Sequence, residues 1–455
     1  MKLMKHQLED AAFLASKKIA GCFSGMGSGK TLTALQAVRL LIQQHAPYGP
    51  KETWADRMQI IIVGPPISLH MWKTEFMDFT VHGTAQIVKT GKTKLQPDSN
   101  AYIMSYEIAT KRVEELKALG AKVLICDESH ALKSVAAKRT MAILGPHGLV
   151  DHVSHAWFLT GTPETKWHDD LYPFLLAADP DGLMNRTGGD SMDRFHLRYC
   201  VTQERKFSPY QKVPTILTVG NRNTEELNKW LFDGGLAVRR ELADVWKEMP
   251  PITINRLQVE LEMTPELKRE LKDLQTLTPR QLVDSIEDGQ MASLRRMIGV
   301  AKVKEAAKEI IDRVSSGTRP ILIGCWHRDV IDALLNALEA KGIKAQAIDG
   351  RTSMQHKGLF TDMFNDGRLD VLVGQISAMG VSLNMQGGSH IIVIEEDFSP
   401  AVMDQFYARC HRMGQKNHVH VDIFEDGTEL GQAVSRIAQA KSREHRKVME
   451  QHNEN

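Results

Sequence analysis

The sequence has few cysteines, no long apolar run and almost no net charge, and each lack excludes a class of protein. Its five cysteines are scattered and form no C-x-x-C pair, which argues against a zinc site or a disulfide framework. No run reaches the ~20 apolar residues that a membrane span needs, so we expect no membrane partner. The net charge of +1 gives no overall basic field, although a local basic cleft remains compatible with it.

Two further features bear on the compartment and on metals. The first residues, MKLMKHQ, lack the apolar segment of a secretion signal, so we expect a cytoplasmic protein. His418 and His420 would share one face of a strand. No cysteine or carboxylate cluster completes a metal set around them, so we expect no metal–histidine site.

Short apolar runs alternate with helical patterns along the 455 residues, a length that suits two or three domains. This alternation predicts parallel α/β units. The strand-like runs stand at 19–23, 60–63, 102–104, 123–126 and 157–159, and again at 321–324, 345–348, 371–373, 391–394 and 419–423. Two prolines in MPPIT (249–253) mark the join. We predict a first domain at 1–163, a mostly helical insertion and closing segment at 164–250, a second domain at 251–430, and a C-terminal helix and tail at 431–455.

The segment GMGSGKT (25–31) follows a predicted strand and precedes a helical pattern, which is the context of a phosphate-binding loop. Its glycines let backbone N–H groups point at phosphate oxygens, and the N-terminus of the next helix adds a favourable dipole. Lys30 would hold the β and γ phosphates, and Thr31 would bind Mg²⁺. Ser24 stands where the strict pattern has glycine. The candidate ATP-binding residues of the loop are Gly25, Met26, Gly27, Ser28, Gly29, Lys30 and Thr31.

An acidic pair and two arginines complete the predicted catalytic set. Asp127 and Glu128 follow the strand at 123–126, where Asp127 would hold Mg²⁺ and Glu128 would orient or deprotonate the attacking water. Arg409 and Arg412 are three apart, so on a helix they would share a face and stabilise charge on the γ-phosphoryl group. Because they lie in the other predicted domain, hydrolysis would require domain closure.

Together these motifs resemble a superfamily 2 ATPase of the Swi/Snf type, in which two RecA-like domains translocate on double-stranded DNA. The H-R-x-G-Q ending is the most discriminating motif. The matching segments, which span nearly the whole chain, are KHQ (5–7), GMGSGKT, PISLHMWKTE (66–75), MSYE (104–107), DESHALKS (127–134), LTGTP (159–163), VRRELADVWKEMPP (238–251), IDGRTS (348–353), FNDG (364–367), MGVSLNMQGGSHIIVIEEDFSP (379–400) and QFYARCHRMGQ (405–415). The departures are Ser24 for the usual Asp, and Ser129, Ser134, Lys166, Phe398 and Ser399.

The resemblance implies an α/β fold of two RecA-like parallel-sheet domains in tandem with a helical insertion between them. It implies further nucleotide contacts through Gln7 and Gly380. It implies DNA contacts through Ser68, Ser105, Thr162 and Asn384, and coupling between the two sites through His130, Thr160 and Gln405. Scattered basic residues, among them Arg239 and Arg240, are candidates to line the DNA groove.

The predicted function is that of a minimal viral or bacterial motor, with ATP and Mg²⁺ as cofactors, that translocates on double-stranded DNA as a monomer. It would remodel DNA or displace bound protein, in the cytoplasm, at the nucleoid, or in the host cytoplasm if viral. One alternative is a strand-separating or strand-annealing helicase on branched or fork DNA or on RNA, and GCWHRDVIDAL (324–334) is reminiscent of the annealing branch. Another is a nucleotide-gated DNA clamp, against which Lys30, Glu128 and Arg412 argue. A non-helicase P-loop enzyme such as a kinase would not need LTGTP or the two arginines.

Overall fold

The chain divides into two compact units, Met1–Val245 and Trp246–Asn455. The computed structural model describes residues 3–45, 58–80, 83–165, 167–206, 211, 213–240, 245, 249–274, 281, 285, 291–379, 383–397, 399–412, 414–437 and 439. Each unit is built on its own parallel sheet with helices, which confirms the predicted α/β class and its two parallel-sheet domains in tandem. Among these residues no helix is long and apolar enough to span a membrane.

The first unit holds a seven-stranded sheet in the order β3-β4-β2-β5-β6-β1-β9, with every described pair parallel. Its strands are β1 (Ile19–Cys22), β2 (Ile60–Gly64), β3 (Ala85–Val88), β4 (Ala101–Ser105), β5 (Val123–Asp127), β6 (His155–Leu159) and β9 (Ala237–Val238). The strand β2 reads IIIVG and is buried along its whole length, as expected where apolar cores cover both faces of a parallel sheet.

Ten α-helices are described in this unit, and Ser105 illustrates how one begins: its hydroxyl accepts a hydrogen bond from the backbone N–H of Ile108. The helices are α1 (Lys5–Ala15), α2 (Lys30–His45), α3 (Leu69–Phe79), α4 (Tyr106–Lys111), α5 (Val113–Ala118), α6 (Lys138–Leu144), α7 (Tyr172–Ala178), α8 (Pro180–Thr187), α9 (Met192–Tyr199) and α10 (Thr224–Asn228). Shorter 3₁₀ turns lie at Ser129–Leu132, Leu149–His152 and His168–Leu171, and a π turn at Lys229–Asp233.

The region predicted as a helical insertion, 164–250, also contains strands. An antiparallel pair, β7 (Cys200–Arg205) and β8 (Thr215–Asn221), follows its first helices, and β9 joins the main sheet beside β1. Phe174, Tyr199 and Trp230 from this region pack in the same apolar core as Phe23 and Phe158. The described part of the region therefore shares the core of the first sheet.

The second unit holds a six-stranded parallel sheet in the order β10-β15-β14-β11-β13-β12. Its strands are β10 (Ile252–Gln258), β11 (Ile321–Cys325), β12 (Ala345–Ile348), β13 (Val371–Gln375), β14 (His390–Val393) and β15 (Val419–Glu425). Its helices are α11 (Pro265–Leu274), α12 (Ala292–Ser315), α13 (Arg328–Glu339), α14 (Met354–Asn365), α15 (Ile376–Met379) and α16 (Pro400–Tyr407). Residues 429–437 are also helical, and Leu430 and Ala433 pack against α11 and α12.

Candidate nucleotide site and coupling residues

The predicted phosphate loop connects β1 to α2, as its sequence context requires. Gly27 and Gly29 have φ angles of 77° and 83°, in the left-handed region that favours glycine. A Cβ atom on Gly29 would lie 2.3 Å from Nε2 of Gln7, so a side chain there would collide with α1. The backbone of the loop therefore accounts for these two glycines of the motif.

Lys30 begins α2 and folds back over the start of the loop. Its Nζ donates hydrogen bonds to the carbonyl oxygens of Ser24 (2.8 Å) and Gly25 (3.1 Å). Desolvation lowers the pKa of Lys30, and the nearby charges of Glu128 and Asp127 oppose that shift. The ammonium group thus lies where the loop and the two predicted catalytic carboxylates meet.

The loop has polar capacity left for a ligand. The hydroxyl of Ser28 is buried and has no hydrogen-bond partner within the described part of the chain. A buried hydroxyl without a partner is costly unless a ligand or a water completes it. Thr31, in the first turn of α2, is partly exposed. These groups fit a bound phosphate and its cation.

Helix α1 packs against the second half of the phosphate loop. The ring Nε2 of His6 lies 3.1 Å from the carbonyl oxygen of Ser28. Gln7 is buried beside Gly29, and its side-chain oxygen accepts a hydrogen bond from the N–H of Met4 at 2.9 Å. The structure thus places Gln7, a predicted nucleotide contact, directly on the loop.

Asp127 ends β5 and is held by three hydrogen bonds. Its Oδ2 accepts from the indole Nε1 of Trp72 (2.8 Å), its Oδ1 from the N–H of Glu128 (3.0 Å), and its main-chain oxygen from the hydroxyl of Tyr106 (2.8 Å). Desolvation and then the charge of Glu128 raise the pKa of Asp127 to about 6, although Trp72 and Lys30 act in the opposite direction. Burial beside Glu128 thus makes the charged form of this carboxyl group less favourable in the unliganded protein.

Glu128 adopts a left-handed backbone conformation, with a φ of 50°, at the turn after β5. A non-glycine residue rarely adopts this conformation, and it persists only where its surroundings enforce it. Nδ1 of His130 lies 3.3 Å from Oε2 of Glu128 and 3.2 Å from Oγ1 of Thr160. The predicted acid–base residue and two predicted coupling residues therefore touch one another.

The LTGTP segment follows β6 and reaches the phosphate loop. The N–H of Thr160 donates to the carbonyl oxygen of Cys22 at 3.2 Å, and the N–H of Thr162 donates to Oγ1 of Thr160 at 3.0 Å. A Cβ atom on Gly161 would lie 2.7 Å from Cγ of Met26, so glycine permits this close approach. The segment therefore links the loop to His130.

The four predicted DNA-contacting residues differ in exposure. Ser68 is buried, with its hydroxyl donating to the carbonyl oxygen of Pro65 at 3.0 Å, and Thr162 is buried as well. Ser105 is partly exposed at the start of α4. Asn384, in the second unit, is exposed. Ser105 and Asn384 thus offer more surface to a partner than Ser68 and Thr162.

The prediction that Arg409 and Arg412 share one face of a helix is wrong. Helix α16 ends at Tyr407, and both arginines lie in the turns that follow it. The N–H groups there bond to carbonyls only two to four residues back, which tightens the chain before Gly414, whose φ is 100°. The two side chains are therefore positioned by turns rather than by helical spacing.

Arg409 is buried and bonded to the backbone of its own unit. Its Nε donates to the carbonyl oxygen of Gln405 (2.9 Å) and its Nη1 to that of Leu383 (3.3 Å). Gln405 is buried beside it, whereas Arg412 is partly exposed. Gly380, predicted to face the nucleotide, lies outside the described residues.

His418 and His420 do lie close together, but as a stack. Their ring centroids are 4.2 Å apart, and the ring of His390 stacks on His420 at 5.2 Å. Within the described ranges no group of three or more His, Cys, Asp or Glu side chains could hold a metal ion. Nε2 of His418 instead lies 2.7 Å from the hydroxyl of Thr253.

The motifs do not indicate two contacts at this site. The first is the hydrogen bond from Trp72 to Asp127, although Trp72 lies within the matching segment PISLHMWKTE (66–75). The second is Arg240, whose guanidinium forms ion pairs with Asp10 and Glu9 at 3.0 and 3.1 Å. Its partners lie 230 residues or more away along the chain, and no local pattern marks them.

A family model for the SNF2-related domain matches residues 6–272, which is more than half of the chain. The chain belongs to the SNF2-related family. A second model, the helicase conserved C-terminal domain, matches residues 301–414 of this SNF2-related chain. The first model covers most of the first unit and continues into the second unit as far as residue 272. The second model lies wholly within the second unit.

Several curated proteins are similar to this SNF2-related chain. A Caenorhabditis elegans homologue of the SWI/SNF-related matrix-associated actin-dependent regulator of chromatin subfamily A-like protein 1 is 27% identical, over 87% of this chain and 54% of that protein. The DNA repair and recombination protein RAD54B of Gallus gallus is 24% identical over 92% and 51%. The DNA annealing helicase and endonuclease ZRANB3 of Homo sapiens is 24% identical over 94% and 38%. The chain thus spans about half the length of these relatives, or less.

This chain is also similar to a solved structure, the Sulfolobus solfataricus SWI2/SNF2 ATPase core in complex with dsDNA. The alignment covers 98% of this chain and 95% of the chain in that structure. The identity is 17% and the TM-score is 0.43.

Proposed function

We propose that this SNF2-related chain hydrolyses ATP with Mg²⁺ and uses the energy to translocate on double-stranded DNA, remodelling it or displacing bound protein without necessarily separating its strands. One observation carries the proposal. The ammonium group of Lys30 lies in the field of Asp127 and Glu128 at the edge where β1, β5 and β6 end. A phosphate loop with a carboxylate pair is the equipment of phosphoryl transfer to water.

Each residue has a defined part in this proposal. The loop amides and Lys30 bind the phosphates, while Thr31 and Asp127 hold the cation. When bound, Mg²⁺ neutralises charge on the β and γ phosphates. Glu128 orients the attacking water and accepts its proton, and its contact with His130 keeps the carboxylate in place.

The arginines of the second unit complete the proposed site. Arg409 and Arg412 stabilise charge on the transferred phosphoryl group when the two units close around ATP. The two backbone bonds of Arg409 use its Nε and Nη1, and the five N–H groups of a guanidinium allow it to donate to a phosphate as well. Closure and reopening in each cycle would advance the motor along one strand.

DNA is the proposed track because two of the relatives are named for DNA repair and recombination and for DNA annealing. A motor that moves along any sequence needs contacts to phosphates rather than to bases. Ser105 and Asn384 are the proposed direct contacts because they are at least partly exposed, and Ser68 and Thr162 act through the turns they stabilise. We propose that the chain acts as a monomer.

An annealing or strand-separating activity on branched DNA is the second candidate, favoured by the similarity to a DNA annealing helicase. ATP turnover should be measured with no nucleic acid, blunt duplex, single-stranded DNA, forked DNA and RNA. Strong stimulation by blunt duplex supports the translocase. Stimulation mainly by forks or single strands favours the second candidate, and no turnover under any condition refutes both.

A further inference from the structure

Arg240 lies at the end of the backbone segment that runs beside the phosphate loop. Strand β9 pairs with β1, and the N–H of Phe23 donates to the carbonyl oxygen of Val238 at 2.8 Å. The pairing continues past the strand, because the N–H of Gly25 donates to the carbonyl oxygen of Arg240 at 2.8 Å. The N–H of Arg240 in turn donates to the hydroxyl of Ser24 at 3.1 Å.

These bonds fix the entry of the loop from two sides. Lys30 holds the carbonyl oxygens of Ser24 and Gly25, and Arg240 holds the hydroxyl of Ser24 and the N–H of Gly25. Two consecutive residues at the entry of the loop are thus each bonded to both Lys30 and Arg240. A shift of the 236–240 segment would move the backbone against which Lys30 is positioned.

The guanidinium group of Arg240 reaches the other end of the loop through α1. Its Nε pairs with Asp10 at 3.0 Å, and its Nη2 pairs with Glu9 at 3.1 Å. The same helix carries His6 and Gln7, which contact Ser28 and Gly29. One residue therefore connects the first residues of the loop, through its main chain, with the helix that contacts Ser28 and Gly29, through its side chain.

Asp10 is a buried carboxylate that pairs with this arginine. It is only 2% exposed, and desolvation raises its pKa, whereas the hydrogen bond and charge of Arg240 lower it. Asp10 and Ser24 share one partner, because the N–H of Arg240 donates to the hydroxyl of Ser24 at 3.1 Å and its Nε pairs with Asp10 at 3.0 Å. A carboxylate of α1 and the hydroxyl of Ser24 are thus held by the same residue.

We propose that Arg240 is a positioning residue for the nucleotide site. We also propose that the carboxylate of Asp10, held by Arg240, takes the place of the Asp that the Swi/Snf-type resemblance implies at position 24, where this chain has Ser24. The inference rests on the proposed ATPase function. It predicts that the arginine acts on nucleotide binding through the loop, without touching the phosphates. It also predicts that nucleotide binding tolerates one carboxylate, at position 10 or at position 24, and is weakened when both positions carry one.

The test compares Arg240→Ala, Arg240→Lys, Asp10→Asn, Ser24→Asp and the double variant Ser24→Asp/Asp10→Asn. The exposed ion pair between Arg198 and Glu226 provides the matched control, Arg198→Gln. For each protein the melting temperature, the Kd for Mg²⁺ with a non-hydrolysable ATP analogue, and KM and kcat for ATP on duplex DNA are measured.

Arg240→Ala should weaken analogue binding and raise KM roughly ten-fold or more, because it removes the ion pairs that tie α1 to the 236–240 segment and leaves the buried carboxylate of Asp10 without this partner. The kcat at saturating ATP should change by less than about three-fold, since the reacting groups are intact. Arg240→Lys should recover part of the affinity, and Arg198→Gln should match the wild type. Ser24→Asp alone should weaken binding, and adding Asp10→Asn should restore it to within about three-fold of wild type.

The outcomes separate the two proposals. If the wild type hydrolyses ATP and Arg240→Ala keeps its KM and Kd, the positioning role is wrong. If the wild type does not hydrolyse ATP, the proposed function is wrong, and the analogue affinities still decide the role of Arg240. Should Arg240→Ala fail to fold, Asp10→Asn and the double variant decide. A double variant that binds no better than Ser24→Asp overturns the role given to Asp10.

Discussion

The two units present their candidate site residues in different ways. In the first unit Asp127 ends β5, Thr160 follows β6, and Lys30 begins the helix that the phosphate loop joins to β1; the three strands are neighbours in one parallel sheet. The topology alone therefore brings them to one edge. In the second unit Arg409 and Arg412 lie in turns after α16, and Arg409 donates hydrogen bonds to backbone carbonyls of other residues in the same unit. The candidate residues of the first unit are thus preassembled at one sheet edge, whereas the proposed catalytic arginines lie in turns of the second unit.

This comparison is tested most strongly by removing the more exposed arginine. Arg412→Ala should bind ATP nearly as well as the wild type, because the first unit supplies the binding groups. Its kcat should fall about 10³–10⁵-fold, the range for an arginine that stabilises the transferred phosphoryl group. Single-turnover hydrolysis on duplex DNA, with analogue affinity measured in parallel, makes the check. A normal rate would remove Arg412 from the catalytic set, and Arg296→Ala, which removes an exposed ion pair with Asp329 in the same unit, serves as the control.

The next largest effect is expected within the preassembled half. Glu128→Gln keeps the size of the side chain but cannot accept the proton of the attacking water. The kcat should fall about 10²–10⁴-fold, while ATP and DNA still bind. The measurement is turnover and equilibrium binding on the same preparation. Ordinary turnover in this variant would show that another group activates the water.

Much of the first unit follows from the sequence, since its motifs coincide with strand ends. The predicted runs at 60–63, 123–126 and 157–159 became β2, β5 and β6, and the phosphate loop lies between β1 and α2. Such short-range patterns are legible because a buried parallel strand is continuously apolar and its chemistry follows it directly. The long-range hydrogen bonds that position the site residues could not be predicted in this way.

What the sequence could not supply are contacts between residues far apart in the chain. Asp127 meets Trp72 across 55 residues, and Arg240 meets Ser24 across 216. The pattern also does not indicate the short strand β9, or β10 at the sheet edge, where few buried residues mark a strand. A spacing of three residues predicts a shared face for Arg409 and Arg412 only if the helix continues through both. Helix α16 ends at Tyr407, before either arginine.

A smaller effect should appear in the pH dependence of the first unit. Because the pKa of Asp127 is raised to about 6, Mg²⁺-dependent ATP binding should weaken as the pH falls through about 6. The unliganded protein should change the other way: a raised acid pKa means that the folded state binds the proton more tightly, so stability rises as the pH falls from about 6 toward 4. Both curves, each measured against Asp127→Asn, make the check. A flat binding curve between pH 5 and 7, roughly one unit on either side of the midpoint, would contradict the assignment.

The smallest effect separates the hydrogen bond of Trp72 from its packing. Trp72→Phe removes the indole donor that lowers the pKa of Asp127, so the midpoint of the pH–binding curve should move to higher pH. Tyr106→Phe is the matched control: it removes a bond to the main-chain oxygen of the same residue and leaves the carboxylate's own bonds intact. Each variant should lose about 1–2 kcal/mol of unfolding free energy from its lost hydrogen bond, with a further loss at Trp72 from the smaller ring. Only Trp72→Phe should shift the midpoint. Equal shifts in both variants would mean that general loosening, and not the indole donor, sets the charge of Asp127, and the first unit would then be less preassembled than its hydrogen bonds indicate.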